Sequence, residues 1–181
     1  MNDVPRKFLV SDPIEIAIAL EVNGRYVNKV PTRRMLKKYK FYTLKRGCYV
    51  YYIQLEDNKR IPVYVGCTWR QTLGHESFTS NKREKLDIAL TKVKGGTLHV
   101  IFIAPEDFEN LEIDNRMMHE IENTLIQYAH AKNPRLENKV GVNSPYKEKM
   151  THWYIDGVLF SDNTESENGR LLKEVLGISG K

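Results

Sequence analysis

Residues 47–66, which read GCYVYYIQLEDNKRIPVYVG, predict a β-hairpin. The first half, from Cys48 to Leu55, is rich in Tyr, Val and Ile, which are residue types enriched in strands. Asp57-Asn58-Lys59 has turn chemistry. Residues 61–65 then return as the second strand, which ends at Gly66.

Two pairs of side chains meet if the strands of this hairpin pair antiparallel. Tyr49 comes close to Tyr64, so two phenols gather at one end of the hairpin. Cys48 and Cys67 also approach each other across it. A tyrosine on a strand is most often a core residue, so the two tyrosines are either core residues or part of an active site. Two cysteines in 181 residues do not form a disulfide framework, and we expect reduced thiols in a cytoplasmic protein.

A helix, a strand and a second helix follow the hairpin. The helix from Asn81 to Lys94 has an apolar stripe, and Asn81 with Glu84 is typical of a capping box. Residues 97–104, TLHVIFIA, predict a buried central strand. The longest helix is predicted over residues 114–131. The fold class expected is α+β, with a small antiparallel sheet of hairpin plus central strand, flanked by helices.

The two ends of the chain predict smaller units around this core. Residues 14–20 alternate as a strand, Asn23-Gly24 favours a type I′ turn, and Arg25 begins the returning strand. A short helix with Thr32 as its N-cap is predicted next. A closing helix is predicted to end before Gly177. We therefore expect three segments: a basic hairpin and helix arm (1–46), the core (47–140) and a C-terminal cap (141–181).

Positive charge is concentrated near the N-terminus. The net charge is +5, yet residues 22–55 contain no Asp or Glu. Nine basic residues lie there: Arg25, Lys29, Arg33, Arg34, Lys37, Lys38, Lys40, Lys45 and Arg46. Interleaved with tyrosines, such a patch is typical of a surface that binds a polyanion, although a solvated basic surface is the other interpretation. No apolar run reaches the length of about 20 residues that a membrane span needs, so we expect no membrane partner.

A carboxylate falls on the apolar side of the longest helix. At 100° per residue, Glu122 lies in the sector of Met118, Leu125 and Ala129, whereas Glu120 lies on the opposite side. A core-facing carboxylate needs a metal, a proton or a basic partner. Glu122 is therefore either a metal ligand or half of a structural ion pair. The five histidines have no Cys or His neighbours at zinc-ligand spacing.

The motifs Gly47-Cys48-Tyr49 and Tyr64-Val65-Gly66, followed by Glu122-Asn123-Thr124-Leu125-Ile126 and the segment from Asn133 to Asn138, resemble the GIY-YIG nuclease family. The resemblance covers residues 47 to about 138. It implies that Glu122 holds Mg²⁺ (or Mn²⁺) and that Tyr49 orients or deprotonates the attacking water. It further implies that Tyr64 helps to hold the water or the scissile phosphate, and that Asn138 lies at the nucleic acid.

The chain departs from the family pattern at one position. The family has an arginine two turns after the glycine of its second motif, and eight residues after Gly66 this chain has Gly74. The candidates for this cationic role are Arg70, Lys82 and Arg83. His75 lies in the same polar stretch and is a further candidate for the site. We predict that Lys82 or Arg83 replaces the arginine, because both lie in the first turn of the helix that follows.

The expected function is that of an endonuclease which hydrolyses DNA phosphodiester bonds with one metal ion. Double-stranded DNA is the expected partner. The sequence is compatible with a monomer and with a homodimer. The biological roles considered are restriction, phage defence and repair. A nucleic-acid-binding protein that keeps the fold without cutting is one alternative. A variant that cleaves RNA is the other.

Overall fold

The computed structural model describes residues 5–21, 24–28, 37–107, 115–138, 153–160 and 166–178. Eight strands lie in these ranges: β1 (Arg6–Val10), β2 (Ile14–Ile16), β3 (Ile18–Glu21), β4 (Gly24–Val27), β5 (Gly47–Gln54), β6 (Arg60–Thr68), β7 (Thr97–Pro105) and β8 (Trp153–Ile155). Five α-helices accompany them: α1 (Lys40–Thr43), α2 (Leu73–Glu76), α3 (Ser80–Lys92), α4 (Asn115–Lys132) and α5 (Glu167–Leu176). A 3₁₀ turn, Lys37–Tyr39, precedes α1.

The predicted hairpin is confirmed as β5 and β6, and it forms one side of the main sheet. The strand order is β6-β5-β7-β1-β8, with β2 paired to β7 beside β1. The pairs are antiparallel except that of β1 with β8, which is parallel. The class α+β is therefore confirmed, but the sheet is mixed and larger than the predicted hairpin plus central strand. The reason is that β1 and β2 extend it from β7, and β8 then adds to β1.

Each face of the main sheet is covered by its own hydrophobic core. Side chains alternate along a strand, so Cys48 and Val50 face one core while Tyr49 and Tyr51 face the other. The first core is closed by α4 and α5, and the second by α2 and α3. All four of these β5 side chains are inaccessible to solvent. Two layers of helix around one sheet thus bury β5 on both sides.

The N-terminal alternation is divided between two sheets. Ile14 and Ile16 are buried in β2, which belongs to the main sheet. β3 instead pairs with β4 in a separate two-stranded sheet, so the predicted hairpin is confirmed there. The alternation of residues 14–20 is therefore not one strand, and Leu20 is 79% exposed, because the chain leaves the main sheet after β2. Asn23 and the predicted cap Thr32 lie outside the described residues.

The predictions of the three long helices α3, α4 and α5 hold within one or two residues, except for one cap. Helix α3 begins at Ser80, and its first intrahelical bond runs from the amide of Arg83 to the carbonyl of Thr79. Thr79 is thus the N-cap, without a side-chain hydrogen bond, and the predicted capping box at Asn81 is wrong. In α5, Ser166 caps the N-terminus and Gly177 adopts the left-handed conformation (φ +71°) after the last turn.

The predicted segment boundaries at residues 46 and 140 do not interrupt the main sheet. Strands β1 and β2 come from the first segment and β8 from the last, and all three pair within it. Among the described helices, none combines the length and apolar character needed to cross a membrane.

Candidate active site

The two motif tyrosines lie together on the α3 face of the hairpin, as predicted. Tyr49 is directly opposite Gly66 in the strand register, and Tyr64 is opposite Tyr51. The rings of Tyr49 and Tyr64 stack with their centroids 6.2 Å apart. A Cβ at Gly66 would lie 2.5 Å from the ring of Tyr49, so only glycine leaves room for this ring.

The hydroxyl of Tyr49 is enclosed. The side chain is fully buried, and no group of the described residues forms a hydrogen bond with its hydroxyl. Burial, followed by the neighbouring phenol of Tyr64, raises the pKa of Tyr49 far above its ordinary value. Tyr49 therefore does not have the properties of the base that the resemblance implies, because its hydroxyl keeps its proton and does not reach solvent.

Tyr64 has a cationic partner. Nζ of Lys82 donates a hydrogen bond of 2.9 Å to the hydroxyl of Tyr64 and lies 3.6 Å from Oε1 of Glu76. Burial raises the pKa of Tyr64, and the hydrogen bond from Lys82 lowers it only in part. Burial lowers the pKa of Lys82, but the Tyr64 hydrogen bond and nearby carboxylates outweigh it and the pKa is raised. Lys82 is therefore a protonated, half-buried cation held by a phenol and a carboxylate.

Glu122 lies on the other face of the sheet, beside a thiol and an imidazole. Its Oε2 accepts a hydrogen bond of 3.2 Å from Sγ of Cys67 and lies 3.5 Å from Nδ1 of His119. Its side chain is 20% exposed, so it is less buried than the apolar sector predicts. Among the described residues its ion-pair partner is this histidine and not a lysine or an arginine. Within the part of the chain that the structure describes, Glu122 therefore does not form the buried ion pair with a lysine or an arginine that is the alternative to a metal ligand.

Cys67, His119 and Glu122 form one group of possible metal ligands. Their ligand atoms all lie within 4.8 Å of one another. The ring of Trp69 packs against that of His119, with centroids 4.4 Å apart. The hydrogen bond with Cys48 lowers the pKa of the Cys67 thiol, but burial and the charge of Glu122 raise it more. No histidine has a cysteine at zinc-ligand spacing in the sequence, but the fold brings Cys67 next to His119.

The two groups share one strand, β6. Tyr64 and Cys67 lie on opposite faces of β6, which is an edge strand. Burial and the hydrogen bond between Tyr64 and Lys82 have the largest effects on the pKa values of these two residues. The negative charge of Glu122 raises both pKa values further. This charge therefore favours the protonated forms of Tyr64 and Lys82.

The atoms beside Glu122 test whether Mg²⁺ fits this group. Mg²⁺ selects oxygen ligands and usually keeps several waters. Glu122 offers a carboxylate, but the neighbouring atoms are the sulfur of Cys67 and the nitrogen of His119. These atoms belong to the ligand sets of zinc and other transition metals. The group does not fit Mg²⁺, because Glu122 is its only residue that offers an oxygen ligand.

The other cationic candidates do not join Lys82. Arg70 and His75 are exposed. Nε of Arg83 donates to the backbone carbonyl of Phe78, and this arginine also lines a groove between β4 and α3. Of the predicted replacements for the family arginine, Lys82 is the one that contacts a motif tyrosine.

The predicted nucleic-acid-binding residues divide into exposed and structural ones. Lys37, Lys38 and Lys40 are exposed. Arg46 is half-buried. Lys29, Arg33 and Arg34 lie outside the described residues.

Three of the predicted binding residues have structural contacts. Lys45 is 6% exposed, its Nζ donates to the carbonyls of Pro105 and Glu106, and its predicted place on the basic surface is wrong. Arg25 donates to three carbonyls after α3, those of Val93, Gly95 and Gly96. The amide of Asn138 both donates to and accepts from the backbone of Val65. Both Arg25 and Asn138 are therefore half-buried residues with backbone partners.

Sequence reasoning missed Cys67, His119 and Glu76. His119 stands three residues before Glu122, which places both on one face of a helix and is a signal the sequence carries. Cys67 directly follows Gly66, but its approach to α4 depends on how that helix packs against β6. Glu76 becomes part of the site only because α2 brings it next to Lys82.

Comparison with known proteins gives no further support for this site. The chain matches no protein-family model, no curated protein and no solved structure.

Proposed function

We propose that this chain is a metal-dependent nuclease of the GIY-YIG kind, which hydrolyses phosphodiester bonds of double-stranded DNA. The observation that carries the proposal is the hydrogen bond from Lys82 to the hydroxyl of the motif residue Tyr64, on the same edge strand whose other face carries Cys67 beside Glu122. A phosphodiester needs a cation for its negative oxygens and a polar group for the attacking water. Tyr64 and Lys82 supply these groups within 2.9 Å of each other.

The order of the elements supports the resemblance. Strands β5 and β6, helix α3, strand β7 and helix α4 come in the order hairpin, helix, strand and helix, with the short helix α2 between β6 and α3. This is the context in which the family motifs are expected. The motif residues Tyr49, Tyr64 and Glu122 lie on β5, β6 and α4 respectively.

Each group of the site has a role in the proposed reaction. The ammonium of Lys82 binds a non-bridging phosphate oxygen and compensates the charge that grows there. The hydroxyl of Tyr64, held by Lys82, orients the attacking water or the phosphate. Glu122 holds a divalent metal, which supplies Lewis-acid stabilisation when bound. Tyr49 supports the ring of Tyr64 by stacking and does not act as the base.

The exposed lysines of the 3₁₀ turn and α1 supply binding to the DNA backbone. Helix α1 packs against α2, the helix that carries Glu76. Lys37, Lys38 and Lys40 are therefore connected to the site through two short helices. Contacts of this kind neutralise phosphates irrespective of base sequence.

The test compares single variants in a cleavage assay on duplex DNA, single-stranded DNA and RNA. Glu122→Gln removes the charge that holds the metal but keeps the shape, so we expect a folded protein that has lost cleavage. Glu120→Gln is the matched control on the same helix, because Glu120 pairs with Arg116 and not with the site. A Glu122→Gln variant that cleaves as the wild type does would refute the proposal.

The same assay identifies the cation. Lys82→Ala should lower the rate on the order of 10²-fold, which is typical for the loss of one charge-stabilising donor. Arg70→Ala and Arg83→Ala should have little effect. If only Arg70→Ala or Arg83→Ala loses activity, the assignment of Lys82 is wrong.

A nucleic-acid-binding protein without cleavage activity is the second candidate. It is favoured by the two motif phenols, because burial raises the pKa of Tyr49 and of Tyr64 and neither is poised to lose its proton. This candidate predicts DNA binding by the wild type with no cleavage under any metal.

A further inference from the structure

The spacing of Cys67, His119 and Glu122 is that of ligands around one metal ion. Sγ of Cys67 and Nδ1 of His119 lie 3.2 and 3.5 Å from the same oxygen, Oε2 of Glu122. In a tetrahedral zinc site with bonds of about 2.0–2.3 Å, neighbouring ligand atoms are roughly 3.4–3.6 Å apart. Two of the three distances between ligand atoms are therefore within a few tenths of an ångström of those in a zinc site, and the third, from Sγ to Nδ1, is under 4.8 Å.

Regular elements hold these ligands in place. Cys67 is buried near the end of β6, and His119 and Glu122 stand one turn apart on α4. Helix α4 packs on β6, so the two ligating elements are in direct contact. Trp69 lies against the imidazole and restricts its rotation. A site built on a strand and a helix is more precise than one built on loops.

The chemistry of the ligands selects the kind of metal. Sulfur, imidazole nitrogen and carboxylate oxygen together are typical zinc ligands, whereas Mg²⁺ and Ca²⁺ prefer oxygen alone. Three protein ligands also leave a fourth position, as in catalytic zinc sites. His119 is 42% exposed, so solvent reaches the site from its side.

We propose that Cys67 Sγ, His119 Nδ1 and Glu122 Oε2 bind one Zn²⁺ ion, with the fourth position open to water or a phosphate oxygen. This inference goes beyond the proposed function, because it assigns two further ligands and the class of metal. It stands whether or not the chain cleaves DNA.

The experiment is a titration of the metal-free full-length chain with Zn²⁺ in competition with a chromophoric chelator, followed by a titration with Co²⁺. We expect one Zn²⁺ per chain and no competition by Mg²⁺. We also expect a thiolate-to-cobalt charge-transfer band in the near ultraviolet. Cys67→Ser should abolish this band, and Cys67→Ser, His119→Ala and Glu122→Gln should each weaken Zn²⁺ binding by 100-fold or more. Circular dichroism checks that each variant is folded.

Two variants serve as matched controls. Cys48→Ala removes the thiol directly opposite Cys67, and His130→Ala removes a histidine of the same helix; both should bind Zn²⁺ as the wild type does. A folded Cys67→Ser variant with wild-type affinity would overturn the inference. Equal losses in Cys48→Ala would also overturn it, because the fourth position would then be closed by a second thiol.

The outcomes separate this inference from the nuclease proposal. Zn²⁺ binding with no cleavage of any nucleic acid leaves the metal site standing and refutes the nuclease. Cleavage of DNA by a folded chain that binds no Zn²⁺ in the titration leaves the nuclease standing and refutes the zinc site.

Discussion

At the scale of single residues, the two stacked tyrosines should respond oppositely to the same change. Tyr49→Phe removes a buried hydroxyl that has no hydrogen-bond partner among the described residues, so the free energy of unfolding should rise by about 1–2 kcal/mol. Tyr64→Phe removes the acceptor of Lys82 and should lower it by about 1 kcal/mol. Urea denaturation of both variants measures this difference.

Activity provides the second half of this prediction. Tyr64→Phe should reduce the rate of DNA cleavage on the order of 10²-fold, because the water or phosphate loses its orienting hydroxyl. Tyr49→Phe should cleave at nearly the wild-type rate, since its hydroxyl is enclosed. A large loss in Tyr49→Phe together with normal stability would mean that this phenol becomes accessible during catalysis.

At the scale of elements, the basic surface of the 3₁₀ turn should set DNA affinity. Reversing Lys37 and Lys38 to Glu should weaken binding to every DNA sequence. Each lost phosphate contact should lower the slope of log affinity against log salt by about one unit. Fluorescence anisotropy at several salt concentrations measures the slope. An unchanged slope would mean that these lysines form only a solvated surface.

Two further variants sharpen this prediction. Lys59 and Lys94 are exposed residues at the hairpin turn and after α3, and their joint reversal to Glu is the control of equal charge. Arg25→Ala should act on stability and not on the salt slope, because Arg25 donates to the carbonyls that follow α3. We expect a loss of about 1–2 kcal/mol from these hydrogen bonds.

At the scale of the whole molecule, the buried phenols predict sensitivity to alkali. Burial raises the pKa of Tyr49, Tyr51, Tyr52 and Tyr64, in Tyr52 to about 12. Below pH 10 these groups are protonated in both the folded and the unfolded chain, and their contribution to stability is complete. Above pH 10 the unfolded chain loses protons first, so stability falls as the pH rises toward the folded-state values.

Chemical denaturation between about pH 9 and pH 12 tests this effect. Each phenol should lower the free energy of unfolding by up to about 1.4 kcal/mol per pH unit. Tyr52→Phe should make the decline less steep, and tyrosinate absorbance should rise together with unfolding. A stability that stays constant from pH 10 to pH 12 would contradict the prediction.

How far the sequence predicts this molecule depends on the range of each interaction. The hairpin, β7 and α4 follow from local periodicity, and the stacking of Tyr49 on Tyr64 follows from antiparallel register. Strands β1 and β8 contain only a few residues each and pair with partners far away in the chain, so no local pattern marks them.

The candidate site shows the same division. Glu122 is visible from its position on the helix, whereas Cys67 and His119 meet only because α4 packs on β6. Lys45 was predicted on the surface from its charge alone. The structure places its ammonium 3.8 Å from the ring centroid of Phe41, where two backbone carbonyls accept hydrogen bonds from it. Charge in a sequence therefore indicates a need for polar partners, not exposure.

The segment from Asn133 to Asn138 runs along the outer edge of β6 and occupies it. Asn138 pairs with both backbone groups of Val65, the amide of Glu137 donates to Val63, and the side chain of Asn133 donates to Pro62. An uncovered edge strand offers its backbone groups to strands of other molecules and promotes aggregation. Here the outward backbone groups of Pro62, Val63 and Val65 are satisfied from within the chain, so the stretch of edge that carries Tyr64 is protected against recruiting a foreign strand.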